Sequence, residues 1–267
     1  MSSSLILVAG YKLISREFLE MGDEQPQKRK FPWKTSYSNS TRKDVEERIG
    51  TTINRLHSTA ITVQEMLALA GYKQDSDVQK IKDEVYSGVV RCLRVEGHET
   101  LMEPNANDLA LFIIIPTIDG FIERTGRDTI HLFREKQVVS QDRETGGYEE
   151  FVVIDGIEVR KDRYIVIIET KRDSLGNAMG QCLLAMKDMG DSNHGGAVYG
   201  FVTTGVDWRM LRYDASDGSF LVSNRIEAVF DTMWRERDRW IRDFSVIVDC
   251  VYAALGDGGK VNQSAGK

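Results

Sequence analysis

The chain has 267 residues, 41% of them hydrophobic and 28% charged, with a formal net charge of −6. It is long enough for one sizeable domain, or one domain with a helical annex. The acidic balance weighs against an obligate nucleic-acid binder, although a metal ion can supply positive charge locally; no apolar run is long enough to span a bilayer, and three distant cysteines and four scattered histidines make no zinc pattern.

Residues 1–40 read as a poorly ordered basic segment with a brief helix near Leu13–Met21. Leu5–Gly10 is apolar but short, and no basic residue precedes it, so it makes a poor secretory signal. The expectation is an intracellular protein, nuclear or cytoplasmic, with no membrane partner. Gln25–Lys34 is a basic cluster flanked by prolines; it reads as a nuclear-import signal, a phosphate-binding arm or plain solvated surface.

A helical region follows over 41–98. Val45, Ile49, Ile53 and Leu56 recur at helical spacing, and further helices are predicted over Thr62–Gly71 and Asp75–Leu93. Their apolar positions make an amphipathic layer, and nothing in them suggests chemistry. Asp108–Glu123 is an apolar helix interrupted by Pro116, which lacks an N–H and must kink it or end a turn. Strands are predicted over Thr129–Val139, Glu150–Asp155 and Tyr164–Lys171, with a turn at Gln141–Gly147 and a polar hairpin connection at 156–163. A helix over Ser174–Met189, a glycine-rich loop at Asp191–Gly196 and strands over Ala197–Thr204 and Trp208–Tyr213 follow. A last amphipathic helix covers 234–255, and 259–267 is a tail. This order predicts an α/β (α+β-like) fold with a mixed central β-sheet flanked by helices.

The third strand carries the strongest signal. Tyr164-Ile165-Val166-Ile167-Ile168 is apolar on both faces, as in a central buried strand, and it runs into Glu169-Thr170-Lys171. Period-two geometry puts Glu169 and Lys171 on one face at the strand's end. Charges there call for pairing, hydrogen bonds or a metal. If this strand forms a hairpin with Glu150–Asp155, counting outward from the turn brings Glu150 near Glu169. Two carboxylates and a lysine then converge, and a hard divalent cation such as Mg²⁺ (or Mn²⁺) is the economical way to neutralise them. Such an ion activates water and stabilises charge on a phosphoryl group.

The ordered set of an acid, a hydrophobic run, Glu-x-Lys and a helix bearing Gln resembles the PD-(D/E)XK nuclease superfamily. It reads here as Glu150-Phe151-Val152-Val153-Ile154, then Ile167-Ile168-Glu169-Thr170-Lys171, then Gln181. Tyr199–Leu211 resembles the strand pair behind the active site in the nuclease domain of type I restriction motor subunits. The wording of 149–214 is also similar to fungal Crinkler-like intracellular effector proteins. The resemblance covers about 103–222. It implies a restriction-endonuclease-like core over 99–222 beneath the N-terminal helical layer, with 223–258 as a C-terminal helical segment packed on that core. It further implies Glu169 as metal-binding acid, Lys171 as catalytic lysine, Thr170 as donor of a backbone carbonyl to the metal, and Gln181 as orienting the site or touching nucleic acid. Glu150 stands where the family has the Asp of Pro-Asp, a departure that leaves Glu149 and Asp155 as competitors. Asp108 or Glu103 stands where an acid of the first core helix reaches the metal through water.

The expected function is metal-dependent hydrolysis of phosphodiester bonds in nucleic acid, DNA in preference to RNA. The alternative is a catalytically silent nuclease fold serving as a nucleic-acid- or protein-binding effector module. Plainer roles stand beside each residue: a salt-bridged strand end for Glu169 and Lys171, a surface acid for Glu150, helix-start acids for Asp108 and Glu103, and a helix–sheet boundary residue for Gln181. Trp208 reads as core. Trp234–Trp240 interleaves aromatic and basic residues but also acids, which favours a charged helix face.

Overall fold

A computed structural model describes residues 31–74, 76–96, 103–158, 161–171, 175–193, 195–258 and 260. The expected helix near Leu13–Met21 and most of the basic cluster lie outside them. Trp33–Lys267 forms one compact unit, and no described helix is long and apolar enough to cross a membrane.

The described helices are α1 (Arg42–Ile49), α2 (Ile53–Ser58), α3 (Val63–Leu69), α4 (Ser76–Glu96), α5 (Glu103–Thr125), α6 (Leu175–Asn193) and α7 (Val246–Asp257), with shorter turns between. The strands are β1 (Thr35–Ser36), β2 (Ile130–Val139), β3 (Thr145–Glu158), β4 (Lys161–Thr170), β5 (Ala197–Thr203), β6 (Asp207–Asp214), β7 (Ser219–Val222) and β8 (Ile226–Glu227). They form one mixed eight-stranded sheet, ordered β1-β3-β4-β5-β6-β7, with β2 on β3 and β8 on β6. The α/β fold expected from the element order is therefore present.

Local chemistry sets several boundaries. Thr41 and Asp44 close a capping box that starts α1, and left-handed Gly50 (φ 71°) ends it, so the helical spacing from Val45 to Leu56 is divided between two helices. α5 runs through Pro116 instead of stopping there. β3 is much longer than Glu150–Asp155, because Thr145–Tyr148 already pair with β2 or β1. The expected helix over 234–255 is broken into Met233–Arg235, Arg237–Arg239, a π-turn at Trp240–Phe244, and α7. Its arginines pair with acids, as Arg237 does with Asp83, Arg239 with Glu236 and Arg242 with Asp243.

Two apolar layers sandwich the sheet. On one face α5 and α7 pack on Phe151, Val153, Val166 and Ile168, with α4 beyond them. On the other, α6 packs on Val152, Ile154 and Ile167, backed by α1 and Tyr37. Ile165 to Ile168 are all fully buried, each contributing about 1.5–3 kcal/mol of burial. Trp208 is also fully buried, edge-on to Phe201, with its indole N–H on the Gly205 carbonyl at 3.3 Å. The three cysteines, Cys92, Cys182 and Cys250, are free and buried.

Candidate functional site

β3 supplies the acids, and its pairing explains where they stand. Gly146 pairs with both Ser36 and Val139, and Phe151 pairs with both Arg134 and Ile168. β1 and β4 therefore share the side of β3 opposite β2, and Gly147–Glu150 lie in the gap between them. The regular β3–β4 register stops at Phe151↔Ile168. Beyond it a side chain takes over: the Thr170 N–H donates to Glu150 Oε2 at 2.8 Å.

The alternation of β3 also slips here. A Cβ on Gly147 would meet Tyr37, which belongs to the α6-side layer, and one on Gly146 would meet Trp33 on the opposite side. Glu149 thus faces α6, near Cys182 and Tyr37. Glu150 and Phe151, although consecutive, both line a groove on the α5 side. Glu135 of β2, opposite Glu150, has φ 50° and breaks the β2–β3 pairing at that point. The local departure from a regular ladder acts as a β-bulge does, re-aiming a side chain.

Four charged groups result at the sheet edge. Lys171 Nζ lies 3.1 Å from Glu169 Oε1 and 3.4 Å from Glu150 Oε1. Glu169 is on the α6-facing side of β4 with Ile167, and its carboxyl faces that of Glu149. Thr170 is buried on the other side, where its hydroxyl contacts Glu150 and Asn107 of α5. Lys171 N–H continues the ladder to the Thr203 carbonyl at 2.9 Å, which fixes the end of β4 against β5.

Burial dominates the electrostatics. It raises the Glu169 carboxyl to about 7, against the opposing pull of Lys171 and with the repulsion of Glu150. Burial pushes Glu149 well above the ordinary carboxylate range, and the Glu169 charge pushes it further. Both Glu149 oxygens are buried and receive no donor. Two facing carboxyls can bond each other only if one carries a proton. Without a cation, the pair is therefore partly protonated near neutral pH.

The groove on the α5 side encloses about 430 Å³ and is lined by Asn107, Asp108, Leu111, Arg134, Glu135, Glu150 and Phe151. Asp108, exposed on α5, reaches it; the Glu103 side chain lies outside the described residues. Gln181 is half-buried on α6, next to Cys182. Asp155 is placed elsewhere. It lies five residues from Glu150, about 16 Å along the strand at roughly 3.3 Å per residue. There it binds the Thr129 hydroxyl and Arg127, both at 2.5 Å, and Arg127 also reaches the Leu255 carbonyl at 3.0 Å. Asp155 joins β3 to the start of β2 and the end of α7, and is removed from the candidate ligands. Glu149, a competitor in the sequence, stands in the cluster. Asn107 gave no signal in sequence; only the crossing of α5 over the end of β4 reveals it.

Oxygen donors from adjacent strands, one with both oxygens unsatisfied, suit a hard divalent cation in donor chemistry. Among the described residues, no group of three or more His, Cys, Asp or Glu side chains is arranged to hold a metal ion. The division of the acids between the two faces accounts for this: Glu149 and Glu169 lie on one, Glu150 on the other, and Lys171 joins them. No protein-family model matches the chain, and no curated protein matches it.

Proposed function

We propose that this protein is a metal-dependent nuclease, with a restriction-endonuclease-like core and its site at the junction of β3 and β4. The observation that carries the reading is the buried, donor-less Glu149 carboxyl facing Glu169 at a strand end that also presents Glu150 and Lys171. A buried carboxylate pair is costly, and a divalent cation would remove the cost. Glu169 with Glu149 or Glu150 would hold Mg²⁺ or Mn²⁺, and the ion would supply an activated water and charge stabilisation at phosphorus.

The chain's own residues have separate tasks. Lys171 bridges Glu169 and Glu150 and holds them within reach of each other, and its ammonium would stabilise the negative charge developing on the phosphate. Thr170 and Asn107 fix the Glu150 rotamer. The groove between α5 and the β2–β3 pair is where a nucleic-acid strand would lie.

The test is cleavage of single- and double-stranded DNA and RNA with Mg²⁺ or Mn²⁺, compared with EDTA and with Glu169→Gln. Metal-dependent cutting that survives Glu169→Gln unchanged would remove the site from this junction.

A further inference from the structure

Past the groove, β3 continues from Glu150 toward its pairing with β1. The next side chain of β3 on the same side is Tyr148, about 7 Å further along at roughly 3.3 Å per residue. It is 57% exposed, an unusual state for a large aromatic on a sheet face. Trp33 holds its ring edge-on at 5.9 Å, and Trp33 itself lies over Gly146, where a Cβ would come within 2.8 Å of the indole. Gln137, opposite Tyr148 in the ladder, reaches its hydroxyl at 3.5 Å. The ring is thus braced at its edge while more than half of its surface stays open. Core packing does not account for such an arrangement.

The β2–β3 hairpin carries an exposed arginine toward each end from this ring. Arg134 lines the groove beyond Glu150, and it makes no ion pair with a described residue. Arg143 is exposed next to the Trp33 segment, its carbonyl accepting the Lys34 N–H at 3.0 Å, and it too makes no ion pair with a described residue. An exposed aromatic face on a hairpin that also carries Arg134 and Arg143 matches the alternation of base and phosphate along a nucleic-acid strand.

We propose that Tyr148, braced by Trp33, is a stacking platform for an unpaired base, so that the site takes single-stranded nucleic acid. This rests on the nuclease reading for the identity of the ligand. Bases inside a duplex have both faces covered by their neighbours and cannot stack on Tyr148; an unpaired base can. Arg134 and Arg143 hold the phosphates on either side and lead the strand to Glu150.

The experiment uses the full chain in EDTA, with fluorescence anisotropy on a short labelled single strand and on the duplex of the same sequence. The expected result is tighter binding of the single strand, weakened about tenfold by Tyr148→Ala and kept within about twofold by Tyr148→Phe, which preserves the ring. Arg134→Gln, at an exposed position, is the second variant. It is expected to weaken single-strand binding and to flatten its salt dependence by about one counterion. No binding to either probe, unchanged binding in Tyr148→Ala, or equal losses for strand and duplex would overturn the inference. The two ideas fail separately. A protein that shows the Tyr148 effect but cuts nothing with Mn²⁺ keeps the platform and loses the hydrolysis. Cutting by Glu169-dependent chemistry that Tyr148→Ala leaves intact, with unchanged binding, does the reverse.

Discussion

Glu150 and Phe151 are consecutive in an extended strand, yet both line the groove under α5. This slip returns Glu149 to the α6 side, where it faces Glu169, and leaves Glu150 beside Thr170 and Asn107. Lys171 at the end of β4 touches both sides. A strand of strict period two would put Glu150 with Val152 against α6. The slip therefore decides which acid faces Glu169 and which faces the groove.

Removing the charge of Glu169 or the amine of Lys171 is expected to lower metal-dependent cleavage at least a hundredfold, the usual scale for a lost transition-state contact. Glu169→Gln keeps shape and hydrogen-bonding capacity, so its melting temperature should stay at or above that of the wild type without metal. Gel-based cleavage with the melting curve as control checks both. A variant that melts normally and cuts at the wild-type rate would return Glu169 and Lys171 to a salt-bridged strand end.

The metal-free protein should lose stability as pH rises. Glu169 is raised to about 7 and Glu149 well above the ordinary carboxylate range, so both bind protons more readily folded than unfolded. Stability from such groups is complete below the unfolded carboxyl value and is lost as pH climbs through the folded one. The window runs from about 4.5 to 7 for Glu169, and Glu149, raised by burial as well, adds to the loss in the same direction. A shift of that size corresponds to roughly 3 kcal/mol, or a fall of about 6–12 °C in melting temperature for a domain of this length. Thermal melts in EDTA between pH 5 and 8 measure it, and Glu149→Gln should flatten the curve. A flat wild-type curve would mean that the two carboxyls do not share a proton.

Mn²⁺ should reverse that loss at pH 8, and the same titration identifies the first carboxylate. If Glu149 with Glu169 holds the ion, Glu149→Gln abolishes the calorimetric heat and Glu150→Gln reduces it less. If Glu150 is the ligand, the order inverts. Wild-type protein with no Mn²⁺ heat and no thermal shift would support the silent effector module in place of an enzyme.

Two buried acids outside the site should behave as structural groups. Asp188 of α6 accepts from the Tyr37 hydroxyl at 2.8 Å, the Thr145 hydroxyl at 2.7 Å and Arg48 at 2.9 Å. Asp188→Ala leaves the Tyr37 and Thr145 hydroxyls without this acceptor and Arg48 with Asp142, at a cost of about 1–3 kcal/mol for each stranded hydroxyl. Asp155→Ala strands Arg127 and Thr129 and should also destabilise the fold. Urea unfolding reads the loss, and cleavage assayed well below the midpoint should be close to wild type for both. An Asp155→Ala protein that is stable but inactive would restore Asp155 to the site.

Much of the architecture was legible because β4 is unambiguous. Four aliphatic residues in a row followed by Glu-x-Lys define a buried strand with a charged end, and the helix and strands after it follow the same periodicities. Asp155 misled because strand position alone does not tell which end of a hairpin holds the chemistry. Its aspartate matched the type of acid sought, whereas Arg127 and Thr129, which engage it, lie 28 and 26 residues away in sequence. The short strands β1, β7 and β8 gave no signal, being two to four residues long and held by their neighbours instead of their own pattern.

By itself, the sequence determined a mixed sheet between helices and a charged ending on its central strand, since both follow from hydrophobic period and the cost of burying charge. Only the tertiary structure decided how the acids are distributed. Whether Glu149 or Glu150 faces Glu169 depends on the slip in alternation opposite Glu135, on β1 taking the pairing edge that β4 leaves, and on Asn107 arriving from α5. Those are contacts between segments far apart in the chain, and no local pattern records them.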